Sequence, residues 1–177
     1  RAGRSVRRPH RLAMAIRERG TVRAVSTVYT SSTALWKRLK PLKGDVRLVL
    51  NACASDRLPE IPRLRRLESN HTAVICYIGT IAQWFDWGIL HALAQSHPKA
   101  RFRLIGPVYA QPSVSLPENV SLEPALPHAE ALQAMAQCDV GLIPFKQTEL
   151  TSSVDPIKFY EYRAMGLPVV SSAFGEM

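Results

Sequence analysis

Between residues 73 and 172 the chain alternates short apolar segments with segments of helical period, and this alternation restricts its fold more than any other feature. Residues 73–79 (AVICYIG), 101–107 (RFRLIGP), 119–124 (NVSLEP), 139–145 (DVGLIPF) and 167–172 (LPVVSS) read as strands. Residues 84–97, 128–137 and 156–165 read as helices. In the first of these, Phe85, Ile89 and Leu93 recur with Leu90 and Ala94 at helical spacing. Apolar strands separated by helices predict an α/β fold, a Rossmann-like parallel sheet with helices on both faces. In such sheets ligands bind beyond the carboxyl ends of the strands. Those ends carry Gly79 and Thr80, Gly106 and Pro107, Pro144 and Phe145, and the loop into the helix at Pro156.

Residues 1–72 are less regular. The opening RAGRSVRRPHR is a basic arm with no apolar period. A short helix is expected over 12–19 with Gly20 as its stop, then a β-branched strand over 22–28. Ser31 or Ser32 can cap a helix running to about Lys40, which Pro41 would end. A strand is expected over 46–52. Pro59 and Pro62 mark residues 53–69 as a linker with at most a short turn of helix. The domain division expected is therefore 1–66, a tail and linker, and 67–177, the Rossmann-like domain. The sequence starts at Arg1 and stops at Met177 just after an apolar segment, so it reads as a piece of a longer protein with both domains incomplete.

Charge separates the same two regions. Residues 1–66 hold seventeen Lys and Arg against four Asp and Glu, whereas residues 67–177 hold six against ten. The halves therefore suit different partners. No aromatic side chains are interleaved among the arginines, so nucleic acid finds no stacking platform and is disfavoured. A solvated basic face is the first reading of this region and an anionic membrane surface the second, ahead of nucleic acid. Three cysteines, Cys53, Cys76 and Cys138, are too few and too oddly numbered for a disulfide scaffold. They read as reduced, mostly buried thiols, and the protein as cytoplasmic. No apolar run approaches the ~20 residues of a membrane span. The histidines (His10, His71, His91, His97, His128) show neither HxH nor HExxH spacing, and no Asp-x-Asp occurs, so no metal and no cofactor are expected. The GxGxxG, GxxxxGK[ST] and GxSxG fingerprints are absent as well.

The most informative stretch is SSVDPIKFYEYRAMGLPVV, residues 152–170. Asp155 followed by Pro156 fits a helix start, with Asp155 as a cap facing solvent. Lys158 and Glu161 stand three residues apart and share a face. The unpaired N–H groups and partial positive charge of a helix start favour an anion, and Lys158 adds a full charge. A carboxylate one turn deeper, Glu161, can accept hydrogen bonds from two neighbouring hydroxyls of a ribose. Together these make a nucleoside-diphosphate site. The alternative from spacing alone is a capped surface helix with an i,i+3 ion pair, worth a few tenths of a kcal/mol. In WFDW (residues 84–87), Asp86 can touch a sugar hydroxyl or merely begin a helix. Trp84 can stack on a ring, and Trp87 reads as core.

This stretch resembles the nucleotide-binding segment of bacterial glycosyltransferases built from two Rossmann-like domains, the GT-B architecture. Pro156, Lys158, Glu161, Tyr162, Ala164, Gly166, Pro168, Val169 and Val170 echo the family pattern Pro-x-Lys-x-x-Glu-Tyr-x-Ala-x-Gly-x-Pro-Val-Val. YIGTIAQWFDWGIL (77–90), FRLIGPV (102–108), residues 116–145 and ELTSSVDPIK (149–158) are similar in order and spacing to a cell-surface polysaccharide branch, the teichuronic-acid type. The resemblance implies that the chain is the C-terminal, donor-binding half with the tail of an acceptor-type domain before it. It implies transfer of a sugar from a nucleotide donor to a glycan or lipid-linked acceptor, without metal. Lys158 and the amides near Pro156 match the phosphate end and Glu161 the ribose. Gly79 and Thr80 match the loop near the diphosphate. Gly106 and the turn at Leu126–His128 match the wall beside the base. Asp86, from its place in WFDW, and Phe145, at the end of its strand, join these as candidate donor-binding residues. No catalytic residue is implied within the chain. Ser153 stands where many members carry a first glutamate, and Thr80 where many carry Arg. Two other functions stay beside this one: a nucleotide-sugar epimerase of the same shape, and a non-catalytic basic module for nucleic acid or anionic membrane.

Overall fold

The computed structural model describes residues 7–54, 56, 58–59 and 71–177, with residues 7–12 described by backbone only. The first six residues of the basic arm and residues 60–70 of the expected linker, Pro62 included, lie outside the described residues. The chain divides into two compact units, Arg1–Leu50 and Asn51–Met177. The division falls earlier than the expected 66/67 because Asn51 and Cys53 already bond into the second unit, to Asp155 and Tyr160.

The first unit contains α1 (Arg7–Ala24), β1 (Val28–Thr30), α2 (Thr33–Leu39) and β2 (Val46–Leu48). The strands pair in parallel, Val28 opposite Val46 and Thr30 opposite Leu48. Ser32 caps α2 by accepting the Leu35 N–H at 3.3 Å. Val22, Leu39 and Val46 form a small buried core, closed by Trp36, whose indole N–H donates to the Val46 carbonyl at 3.0 Å. The strand expected over 22–28 and the stop at Gly20 are both corrected: α1 runs through Gly20 to Ala24. A glycine inside a helix costs about 1 kcal/mol relative to alanine. Val22 then faces the small core as a helical residue, and only Val28 of the expected strand pairs.

The second unit carries β3 (Val74–Ile78), α3 (Trp87–Ser96), β4 (Arg101–Ile105), β5 (Val120–Glu123), α4 (His128–Ala136), β6 (Val140–Ile143), α5 (Ile157–Ala164) and β7 (Val169–Ser171). All five strands are parallel, in the order β5-β4-β3-β6-β7. Adjacent residues of a strand point to opposite faces. Cys76 and Tyr77 are both fully buried, so both faces of the central strand are covered. This is the predicted Rossmann-like layering. Arg103 clamps Glu123 with two hydrogen bonds of 2.7 Å, tying β4 to β5 and holding the Glu123 carboxyl below its usual range. The helix expected from Trp84 starts at Trp87 instead. Asp86 takes the cap position, accepting from Gly88 and Ile89, while Phe85 bridges to Phe145. Among the described residues, no helix is long and apolar enough to cross a membrane.

The chain order places β4 and β5 to one side of β3, and β6 and β7 to the other. The carboxyl ends of β3 and β6 therefore flank a topological switch point, where a crevice opens in a sheet of this kind.

Candidate functional site

Two glycine turns shape one rim of that crevice. Gly79 follows β3 with φ 136°, and Gly106 follows β4 with φ 144°, backbone that L side chains rarely adopt. A Cβ at Gly106 would collide with the Gly79 carbonyl oxygen, so the two turns pack backbone against backbone. The Gly79 N–H donates to Ile105 at 2.8 Å and the Gly106 N–H to Glu123 at 3.1 Å.

The opposite rim is the start of α5. Tyr162 fixes this helix to β3: its hydroxyl accepts the Ile78 N–H at 3.1 Å and donates to the Cys76 carbonyl at 3.2 Å. Burial pushes the phenol well above its ordinary value. The loop before α5 is tied by Thr151, which is buried and whose hydroxyl donates to the Lys146 carbonyl at 2.5 Å. Pro156 occupies the cap position of α5 and no side chain caps the helix. Its positive end is left to whatever enters the crevice.

Between the rims lies a cleft of about 690 Å³. Of the residues singled out in the sequence, Gly79, Thr80, Gly106, Phe145, Pro156, Lys158 and Glu161 line it, and so does Trp84. Asp86 does not line it, because its carboxylate is engaged in capping α3. Asp155 corrects the expectation of a solvent-facing cap. It is buried, accepts the Asn51 N–H at 2.6 Å and the Tyr160 hydroxyl at 3.0 Å, and caps nothing. Ser153 lies in the short turn before α5 and does not line the cleft.

The Lys158 ammonium lies 4.6 Å from the centroid of the Tyr77 ring and 5.0 Å from that of Phe145. Its Nζ is 3.5 Å from the Tyr77 hydroxyl and close to Gly79. Burial lowers its pKa to about 8, opposed by the Glu161 charge. The i,i+3 ion pair offered by the spacing does not form: no described salt bridge includes Lys158. Glu161 instead meets His128, whose Nε2 is 3.0 Å from its Oε1. Sequence reasoning placed His128 only at the wall of the site. Its partner sits thirty-three residues away on another helix, a separation no local spacing encodes. Leu126, Ala131, Leu132 and Met135 give that wall an apolar surface. Tyr77 and Asn51 were also missed. No group of three or more His, Cys, Asp or Glu among the described residues is placed to hold a metal ion.

The arrangement offers a cation, an open helix start and a carboxylate along one cleft, with an apolar wall beside the carboxylate. Solved structures share the framework. The sucrose-phosphate synthase of Thermosynechococcus elongatus superposes on 89% of the chain with a TM-score of 0.65 at 17% identity, the chain covering 43% of it. Anabaena HepE, determined in complex with UDP and glucose, superposes on 86% with a TM-score of 0.58 at 17% identity, the chain covering 46% of it. The chain shares with these two structures the Rossmann-like α/β fold. In sequence, the chain is 30% identical over 112 residues to the putative teichuronic acid biosynthesis glycosyltransferase TuaH of Bacillus subtilis (strain 168). That alignment takes in 60% of the chain and 28% of TuaH. The chain thus spans less than half the length of each of these proteins. No family model matches it. These likenesses support the GT-B resemblance read from the sequence.

Proposed function

We propose that the chain is the donor-binding part of a glycosyltransferase, taking a nucleoside-diphosphate sugar in the cleft between β3 and α5. The observation that carries this reading is Lys158. A partly buried ammonium that forms no salt bridge among the described residues stands beside an uncapped helix start at the switch point of the sheet. Taking a cation out of water is costly, and a diphosphate placed there offsets the cost with charge-assisted hydrogen bonds. The same groups stabilise the diphosphate as it leaves the sugar, when its negative charge grows. That role needs no metal, and we propose metal-independent transfer with no cofactor. Glu161 holds the ribose hydroxyls, and the apolar wall of Leu126, Leu132 and Met135 receives the base. UDP and glucose bound to HepE, a protein of the same fold, support a sugar nucleotide as the ligand class.

The likeness to TuaH supports a glycan or lipid-linked acceptor in cell-surface polysaccharide synthesis. The strongly basic residues 1–66 suit peripheral contact with an anionic membrane from the cytoplasmic side, where such acceptors sit. An epimerase of the same fold is less supported, since the cleft lining adds no paired acid and base beyond His128 and Glu161.

Calorimetric titration of the chain with UDP, GDP and ADP tests the proposal. One of the three binds, and Glu161→Ala weakens that binding by more than about tenfold, through the loss of the carboxylate's hydrogen bonds to the ribose hydroxyls. Failure of all three to bind would overturn it.

A further inference from the structure

Glu161 is the cleft's one carboxylate not already spent on the fold, since Asp155 is consumed by Asn51 and Tyr160. A glutamate side chain at a cleft wall has three rotatable bonds, and only some of its rotamers present both oxygens to a ligand. Here one oxygen is fixed from outside its own helix. His128 is the first residue of α4, set by Pro127 at the cap position, and α4 is anchored by the buried Ala131, Leu132 and Met135. From that rigid base its Nε2 reaches Glu161 Oε1 at 3.0 Å. A carboxylate offers acceptors and an imidazole Nε2–H a donor, so the pair is matched when His128 donates from Nε2. A carboxylate has about four acceptor positions, and one donor leaves the others open. The imidazole itself is mostly exposed, its side chain 61% accessible against 16% for Glu161, so the bond contributes little to packing.

We infer that His128 is a positioning residue that orients Glu161 to select ribose over deoxyribose, an inference that rests on the nucleotide reading of the cleft. The His128 bond holds Oε1, and the free acceptor positions of Glu161 then face the vicinal 2′- and 3′-hydroxyls. A nucleotide with one hydroxyl fewer leaves one of them unmatched, and the difference in affinity measures the alignment.

The test compares the affinity of the folded chain for UDP and for 2′-deoxy-UDP, as the ratio of the two dissociation constants, in wild type, His128→Ala, His128→Gln and Glu161→Ala. GDP or ADP with its 2′-deoxy form replaces this pair if that is the nucleotide bound. Wild type is expected to favour the ribose form about tenfold. His128→Ala reduces the preference to threefold or less, chiefly by weakening UDP. His128→Gln, whose amide can donate from nearly the same place, restores it. In the Glu161→Ala background, His128→Ala changes the ratio no further. An unchanged ratio in His128→Ala would overturn the inference and leave the nucleotide reading standing. A wild-type chain that binds UDP without preference overturns it likewise. A wild-type chain that binds none of the nucleotides overturns both. Because His128 is exposed, circular dichroism of His128→Ala should match wild type, so a changed ratio reports on the site.

Discussion

The Asp155 carboxylate, one residue ahead of the Pro156 cap, accepts the main-chain N–H of Asn51 at 2.6 Å. Asn51 answers with its side-chain amide, which donates to the Asp155 carbonyl at 2.6 Å, and the Tyr160 hydroxyl donates to the carboxylate at 3.0 Å. A negative charge at the lip of an anion site would oppose a diphosphate. Here two donors, the Asn51 N–H and the Tyr160 hydroxyl, meet that charge, and the carboxylate serves to fasten residue 51 beside the start of α5. Burial and the Asp155 charge push the Tyr160 phenol up to about 12. Asp155→Ala leaves the Asn51 N–H without its acceptor and is expected to lower the unfolding free energy by about 1–3 kcal/mol. Tyr160→Phe, which removes one donor at a partly exposed position, costs less. Urea denaturation of the two variants checks the order.

Lys158 makes stability and ligand affinity respond to pH with opposite signs. Its pKa is about 8 in the folded chain and near the ordinary 10.5 when unfolded. Between those values the unfolded chain binds more protons, so the stability of the ligand-free chain rises with pH across that window. Over the same range the folded chain loses the ammonium, and nucleotide affinity falls. Denaturation and titration at pH 7, 8, 9 and 10 are expected to show the two trends diverging. Lys158→Met flattens both.

Tyr162 is the joint between α5 and β3. Its ring fills the space over Gly141, where a Cβ would strike it, and its hydroxyl satisfies the Ile78 N–H. Tyr162→Phe strands that N–H in the interior and is expected to cost about 1–3 kcal/mol. Gly141→Ala forces the ring aside at a similar cost. Both variants also displace α5, so a drop in thermal midpoint accompanied by weaker nucleotide binding is the expected pair of readings.

The second unit was largely legible because its signals are local. Apolar runs such as VICYI and GLI end in glycine or proline, and the intervening helices carry their own period. The helix start at Pro156 and the Lys158–Glu161 face were visible for the same reason. What escaped was decided by distant partners. Whether Asp155 faces solvent depends on Asn51, 104 residues earlier, and whether Glu161 pairs with Lys158 depends on His128. Asp86 reads equally as sugar ligand or cap until Gly88 and Ile89 claim it. In the first unit, β-branched Val22 and Val25 suggested a strand. Burial of Val22 against Leu39 and Val46 instead favours carrying α1 through Gly20, tertiary packing outweighing propensity.

The central claim is that Lys158 and the start of α5 grip a diphosphate. It is tested most directly by the affinities of wild type and Lys158→Met for the bound nucleoside diphosphate and for its nucleoside, UDP against uridine in the first instance. Lys158→Met is expected to weaken UDP at least tenfold and to leave uridine within twofold of wild type, since only the diphosphate meets the ammonium. Equal loss for both ligands, or no loss for UDP, would contradict the account.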